Sequence, residues 1–379
     1  MIRFLPILLL LASCATGPAE VRVGFDRTHI RSTMARGVAD RTTGRRASVD
    51  DPVRVASVSK FGVALAVMRL VEAGTLDLDR DVSDWLGWRL RNPAFPDKAI
   101  TLRLLLSHRS SLTDNNDYAI PLGRTLRDVV ADPKAWDATH APGGWFAYTN
   151  LNFPVIASVI ERATGERFDR AMARTVLTPL GIDACYNWTT CSAGALARGI
   201  TLYDGDSGAV RRDSMEQRSG CAVNALAGCD VASYQLGTNG ALFSPQGGLR
   251  ISGRGLARIG QLLLNKGEGF LTPASIDTLF EIQWRFDGSN GDTSNGFYCS
   301  YGLATQVVPS RQAGCRDDLF GDGRLWVGHA GEAYGLRSGL WIDRAAGTGV
   351  AFFATAVPDK GAEGRKSAFT AAEERLARR

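Results

Sequence analysis

The sequence predicts a two-lobed α/β fold: an antiparallel sheet flanked by helices, built from both ends of the chain, with an inserted, mainly helical lobe. Three observations predict it. Strand-like alternation starts at Val21-Arg22-Val23-Gly24-Phe25 and resumes at Ile30; helical periodicity dominates the middle; strand-like runs return after residue 296. The expected division is an α/β lobe of 21–60 and 296–379 with a helical lobe of 61–295, and 379 residues suffice for a sizeable core. A cleft between two such lobes is the natural place for a site.

The elements follow in order. Asp40-Arg41-Thr42-Thr43-Gly44-Arg45 reads as a turn. Phe61 to Val71 is apolar nearly all round, broken by Arg69 and stopped near Gly74, which predicts a helix buried on most faces. Thr101 caps a short helix, and Thr125-Leu126-Arg127-Asp128 has the spacing of a capping box. Val155, Ile156, Val159, Ile160 and Ala163 line one helical face that ends at Gly165. Gly255 to Asn265 makes another helix, and Thr272-Pro273 opens the next. Strands are expected over 301–308, 325–331, 336–343 and 349–356, the last two joined by a hairpin-like loop, with a closing amphipathic helix from Lys366 to Leu376.

Composition narrows the partners. The formal charge of +5 is spread without a run of like charges, so no nucleic acid is expected. Residues 1–13 read as a signal peptide: a short basic start, then an apolar run about half the roughly 20 residues needed to cross a bilayer. The run ends in Leu11-Ala12-Ser13-Cys14, which resembles a bacterial lipobox and implies lipidation of Cys14. The expectation is an exported, periplasmic protein held to a bacterial membrane, the outer one, by its lipid, with 14–20 as a tether. Nothing later approaches a membrane span.

Six further cysteines remain: Cys185, Cys191, Cys221, Cys229, Cys299 and Cys315. An even number in an exported chain suggests disulfides, and six allow 15 connectivities. Nearest-neighbour pairing is preferred, because each pair brackets a Gly- or Asp-rich loop. A metal site is the alternative, but no Cys-x-x-Cys occurs and the four His residues are scattered, so no metal is expected.

Three patterns carry the chemistry. Ser57-Val58-Ser59-Lys60 would place Lys60 one turn from Ser57 on the same face. A buried Lys with a lowered pKa can take the proton of a serine hydroxyl, which is otherwise a poor nucleophile. Tyr148-Thr149-Asn150 offers a hydroxyl to relay a proton and an amide to hold a substrate carbonyl. His329-Ala330-Gly331 leads along a strand into Glu332; glycine there admits substrate backbone, and a backbone N–H there can form half of an oxyanion hole.

In this order the three patterns resemble those of the serine β-lactamase and penicillin-binding-protein superfamily. The class C β-lactamases, with their carboxypeptidase, D-aminopeptidase and esterase cousins, look most similar. Thr101-Leu102-Arg103-Leu104-Leu105-Leu106-Ser107-His108, Val176 to Gly181 and Gly247-Gly248-Leu249 extend the resemblance over roughly 35–375. It implies Ser57 as nucleophile, Lys60 and Tyr148 as bases, and Asn150, His329, Gly331 and Glu332 as substrate contacts. The N–H groups of Ser57 and Glu332 would cradle the oxyanion, and no cofactor is implied.

The chain also departs from that pattern. His329 stands where true β-lactamases usually have Lys, and Ala330 lacks the neighbouring hydroxyl, so an anionic substrate group loses two partners. Arg337 could restore a charge, although the sequence does not fix its direction. The interval from Cys14 to Val21 leaves no room for the helix that usually precedes the first strand. A small-molecule or peptidoglycan-like ester or amide is therefore the expected substrate. A true β-lactamase, or a non-catalytic penicillin-binding or scaffold protein, are the alternatives. Gly205-Asp206-Ser207-Gly208, which resembles a protease nucleophile loop, reads as a turn.

Overall fold

The computed structural model describes residues 17–378, so the expected signal peptide and Cys14 lie outside the described residues. Its centre is an eight-stranded antiparallel sheet. The strands are β1 (Glu20–Asp26), β2 (Ile30–Arg36), β3 (Trp284–Arg285), β4 (Ser300–Tyr301), β5 (Gln306–Val308), β6 (Trp326–Ala333), β7 (Leu336–Asp343) and β8 (Thr348–Ala354). Their spatial order, β3-β4-β5-β6-β7-β8-β1-β2, pairs the first strand of the chain with the last.

Strand alternation assigns the two faces of this sheet. Val21, Val23, Phe25, Leu340, Ile342, Ala351 and Phe353 point into the larger core, whereas Trp341, Val350, Phe352 and Ala354 join a smaller one under the C-terminal helix. On the larger face lies the helix Gly253–Leu264, whose Gly260 sits against Phe25 and Leu340 so closely that a Cβ would clash. Sequence reading had placed this helix, and β3, in the helical lobe. Both belong to the sheet layer, because small residues let the helix approach and Trp284 pairs with Tyr301.

The insertion begins with α1 (Ser59–Glu72), whose residues Ser59 to Met68 are all buried. It packs against the helical segments Phe168–Met172, Ala173–Leu177 and Pro273–Phe280; α2 (Asn152–Thr164) packs on Phe168–Met172 in turn, and a three-stranded sheet joins Val53–Arg54, Leu249–Ile251 and Cys185–Tyr186. Thr101 caps Leu102–Leu106, Thr125 and Asp128 form the capping box, and Gly165 closes α2 in the left-handed conformation. Disulfides join Cys185–Cys191, Cys221–Cys229 and Cys299–Cys315, the nearest-neighbour set.

Three expectations need correction. The run 301–308 is two strands, because the chain reverses at Gly302–Thr305, where Gly302 N–H donates to the Thr305 carbonyl at 2.8 Å. Apolar alternation continues through such a reversal, so the pattern hides it. The last helix, α3 (Ala371–Arg378), starts later than Lys366 because Thr370 and Glu373 form a reciprocal cap. Finally, 17–20 is docked rather than a free tether: Ala19 is fully buried and its N–H donates to Thr355 Oγ1 at 2.9 Å.

Candidate active site

Ser57 stands in a single 3-10 turn, Ala56–Val58, immediately before α1. Ala56 adopts φ +46°, a left-handed conformation unusual for a residue with a Cβ. That bend sets Ser57 at the floor of a cleft, and Lys60 follows one turn later, fully buried.

The Lys60 amine touches three oxygens, each at 3.0 Å: Ser57 Oγ, Asn150 Oδ1 and the Gln246 carbonyl. Asp114 fixes this set. Its carboxylate accepts from Asn150 N and Nδ2 at 2.9 Å, and from Leu151 N at 3.0 Å, which turns the amide oxygen of Asn150 toward Lys60. Burial pulls the Lys60 pKa down to about 7, against an opposing pull from Asp114. A neutral amine has two N–H groups and one lone pair. Asn150 Oδ1 and the Gln246 carbonyl can only accept, so they take the two N–H groups. The lone pair is left for the hydroxyl proton of Ser57. The expected role of Asn150 as a substrate contact therefore gains a prior one, holding Lys60.

Tyr148 lies between two rings, stacked on His108 at 4.3 Å and on Tyr298 at 4.5 Å between centroids. Its hydroxyl is buried without an aligned hydrogen-bond partner. Burial raises its pKa well above the usual phenol value, although the nearby Ser57 and Tyr298 hydroxyls pull the other way. Tyr148 is thus a phenol at neutral pH, able to give a proton before it can take one.

His329 is a correction. Its ring is buried at 1 % exposure, donates from Nδ1 to the Ala330 carbonyl, accepts at Nε2 from the Tyr301 hydroxyl at 2.8 Å and lines neither limb of the cleft. Burial, then the neighbouring Lys60, lowers its pKa to about 3, so it supplies no charge to a substrate. Sequence reasoning saw its strand position but not the Tyr301 hydroxyl, which holds the ring 6.0 Å from that of Tyr148 between centroids. At Gly331 the close approach is by the chain itself: a Cβ there would overlap the Val55 carbonyl and the Ser338 hydroxyl and sit 3.2 Å from the Ser57 nitrogen. Glu332 follows it at the cleft, with its side chain paired to Arg337 at 2.5 Å.

Sequence reasoning missed Asp114, the Gln246 carbonyl, and the supports His108, Tyr298 and Tyr301. Asp114 lies in a loop far from Asn150 in sequence, and only its place after the helix Leu102–Leu106 hints at proximity. The protease-like Gly205–Gly208 segment is a turn held by Asp204, which accepts from the Asp206 and Ser207 N–H groups.

Two limbs of the cleft meet at Ser57 and Asn150. One, about 770 Å³, runs toward Arg54, Arg212, Arg250 and Tyr334. The other, about 440 Å³, is bordered by Tyr148, Tyr298, Arg337, Glu363 and Glu373. Tyr148 faces only the second.

A model of the Beta-lactamase family matches residues 21–373. The chain is 35% identical over 198 residues to esterase EstB of Burkholderia gladioli, covering 48% of this chain and 50% of that one. It is 27% identical over 216 residues to the D-alanyl-D-alanine-carboxypeptidase/endopeptidase AmpH of Escherichia coli (strain K12), covering 52% and 54%. The match thus spans about half the length of these curated relatives. Its fold is similar to that of D-amino acid amidase from Ochrobactrum anthropi SV3, with a TM-score of 0.68, 18% identity, and 94% and 92% of the two chains covered. A class C beta lactamase from Rhodobacter sphaeroides is similar too, with a TM-score of 0.66, 18% identity and coverage of 95% and 92%. With a family model spanning almost all of the described fold, the chain belongs to the β-lactamase family of serine hydrolases.

Proposed function

We propose that the chain hydrolyses an ester or amide, in the manner of an esterase or D-amino-acid peptidase, through an acyl-enzyme on Ser57. The observation that carries this is the buried Lys60 amine, 3.0 Å from Ser57 Oγ and held by acceptors that leave its lone pair for that proton. Ser57 Oγ attacks the carbonyl carbon as its proton passes to Lys60. The carbonyl oxygen takes the charge, stabilised by the Ser57 and Glu332 N–H groups. As the bond to the leaving group breaks, the Tyr148 phenol protonates it and recovers a proton from Lys60. Water then attacks the acyl-enzyme along the reverse course and frees the acid.

Because Tyr148 faces the second limb, the leaving group belongs there and the acyl part belongs in the first. That disfavours penicillins, whose carboxylate would enter a limb whose lining cation, Arg337, is already paired with Glu332. The relatives named above, an esterase and a peptidase, fit the same reading. Three disulfides and the Leu11-Ala12-Ser13-Cys14 motif support an exported, periplasmic, lipid-anchored protein working on membrane-proximal substrates. Labelled fatty acid should enter the full chain in cells and be absent from Cys14→Ala; labelling of both alike would remove the anchor.

The test of the main reading is intact-protein mass and product release with p-nitrophenyl short-chain esters and benzylpenicillin, with Ser57→Ala alongside. Ester turnover absent from Ser57→Ala, with no drug consumed, supports the esterase branch. A long-lived penicillin adduct on Ser57 moves the reading to the peptidase branch. Turnover that survives in Ser57→Ala sinks the acyl-enzyme.

A further inference from the structure

The larger limb carries more positive charge than its own carboxylates answer. Arg54, Arg212 and Arg250 line it with one buried carboxylate among them, Asp213. Arg250 takes that carboxylate at 2.8 Å, and Arg54 Nε stands 3.6 Å from its other oxygen, too far for a hydrogen bond. Arg54 spends one Nη on the Gly247 carbonyl, and its buried Nε has no hydrogen-bond partner. Arg212 meets no carboxylate among the described residues and lies over the Tyr334 ring, 5.4 Å from its centroid. Arg54 lies over the same ring at 5.2 Å.

The other acids of this limb do not neutralise the group. Glu332 is engaged by Arg337, and Glu216 stands exposed on the rim. Tyr334 registers the excess: burial pushes its phenol up, yet Arg54, Arg212 and Arg250 outweigh burial and hold its pKa below the usual value. Cations partly removed from water and short of counter-charge are unfavourable until an anion joins them.

We propose that this limb binds a carboxylate carried on the acyl part of the substrate, with Arg212 and Arg54 as its partners above Tyr334. The assignment of the acyl part to this limb rests on the function proposed above; the anion site itself rests on the arginines. The substrate class is then the half-ester or half-amide of a dicarboxylic acid.

The experiment compares mono-p-nitrophenyl glutarate with p-nitrophenyl pentanoate, which has a similar acyl length and a methyl end. Succinate and adipate half-esters gauge the reach. The full chain should prefer the glutarate by about tenfold in kcat/KM, a preference that shrinks as salt is added. Arg212→Gln should bring the ratio toward one, and Arg212→Lys should keep part of it. In parallel, free glutarate is titrated calorimetrically into Ser57→Ala and into Ser57→Ala with Arg212→Gln. Binding to the first and not to the second supports the anion site even if neither ester is turned over, in which case the hydrolase reading alone fails. Turnover of both esters without preference, and no glutarate binding, overturns the inference and leaves the hydrolase standing.

Discussion

The two limbs that meet at Ser57 differ in how their charge is answered: arginines gather in the larger one around a single buried carboxylate, whereas the carboxylates bordering the smaller are each offset, Glu332 by Arg337, Glu363 by Arg316, and Glu373 by a pKa that burial raises to about 7. The floor between them is kept nearly uncharged. Burial holds Tyr148 as a phenol, keeps His108 and His329 neutral, and leaves Lys60 near half-protonation at neutral pH. The contrast separates two tasks. Under the function proposed above, proton transfer falls to desolvated groups that change charge easily, and substrate choice to the limbs.

Substitution on the floor should therefore strike substrates of both limbs alike. Lys60→Met should lower kcat by about 10³-fold or more for anionic and neutral esters equally. Its effect on Tm should be small, because relief from burying the amine is offset by the Asn150 Oδ1 and Gln246 carbonyl acceptors it leaves unpaired. Loss confined to one ester class would break the division of labour. Calorimetry and kinetics on one preparation read both effects.

The pH profile sharpens the same point. With a base of pKa about 7, kcat/KM should rise about tenfold per pH unit below 7 and level off above it. Because the folded pKa lies below the ordinary 10.5, the folded form binds fewer protons than the unfolded chain. The penalty for burying Lys60 therefore grows as pH falls from 10.5 to about 7 and is constant below that. A profile that rises toward acid would exclude Lys60 as the base.

Glu373 gives the smaller limb a titration of its own. Burial raises its pKa to about 7 although Thr370 hydrogen bonds and Arg337 lower it. The folded state thus holds the proton more tightly than the unfolded chain, whose value is near 4.5. The sign follows: stability falls as pH rises from 4.5 through 7, by roughly 3 kcal/mol for this group alone. Glu373→Gln should flatten that decline in a Tm–pH series, and an unchanged slope would show that Glu373 is ionised throughout.

The sequence displays Ser57, Lys60 and Tyr148 because each sits in a short local pattern beside a helix signal. Ser57 and Lys60 are one turn apart, and Tyr148 and Asn150 precede a strongly periodic helix. The sheet is legible for the same reason, through period-two alternation at both ends of the chain. Asp114 and the Gln246 carbonyl are not legible: one is a loop carboxylate, the other a backbone atom, and neither leaves a periodic trace. The misplaced role of His329 has a third cause. Its strand position is right, but a buried hydroxyl on β4 decides where the ring goes. The arginine limb escaped because Arg54, Arg212 and Arg250 are remote in sequence and form a cluster only when Val53–Arg54 pairs with Leu249–Ile251.

The smallest expected effect tests the sign of the leaving-group limb. The Glu332 side chain is 65% exposed and reaches Arg337, which is only 7% exposed. Half-solvated pairs of this kind are worth about 0–1 kcal/mol. Glu332→Gln keeps the backbone N–H at the oxyanion position and removes one negative charge from the border. The ratio of kcat/KM for an ester with an anionic leaving group to one with a neutral leaving group should therefore rise by only about two- to threefold, less at high salt. A tenfold rise would mean that Arg337, once released, binds the leaving-group carboxylate itself. The smaller limb would then be a cation site masked by Glu332, and the contrast between the limbs would rest on a single side chain.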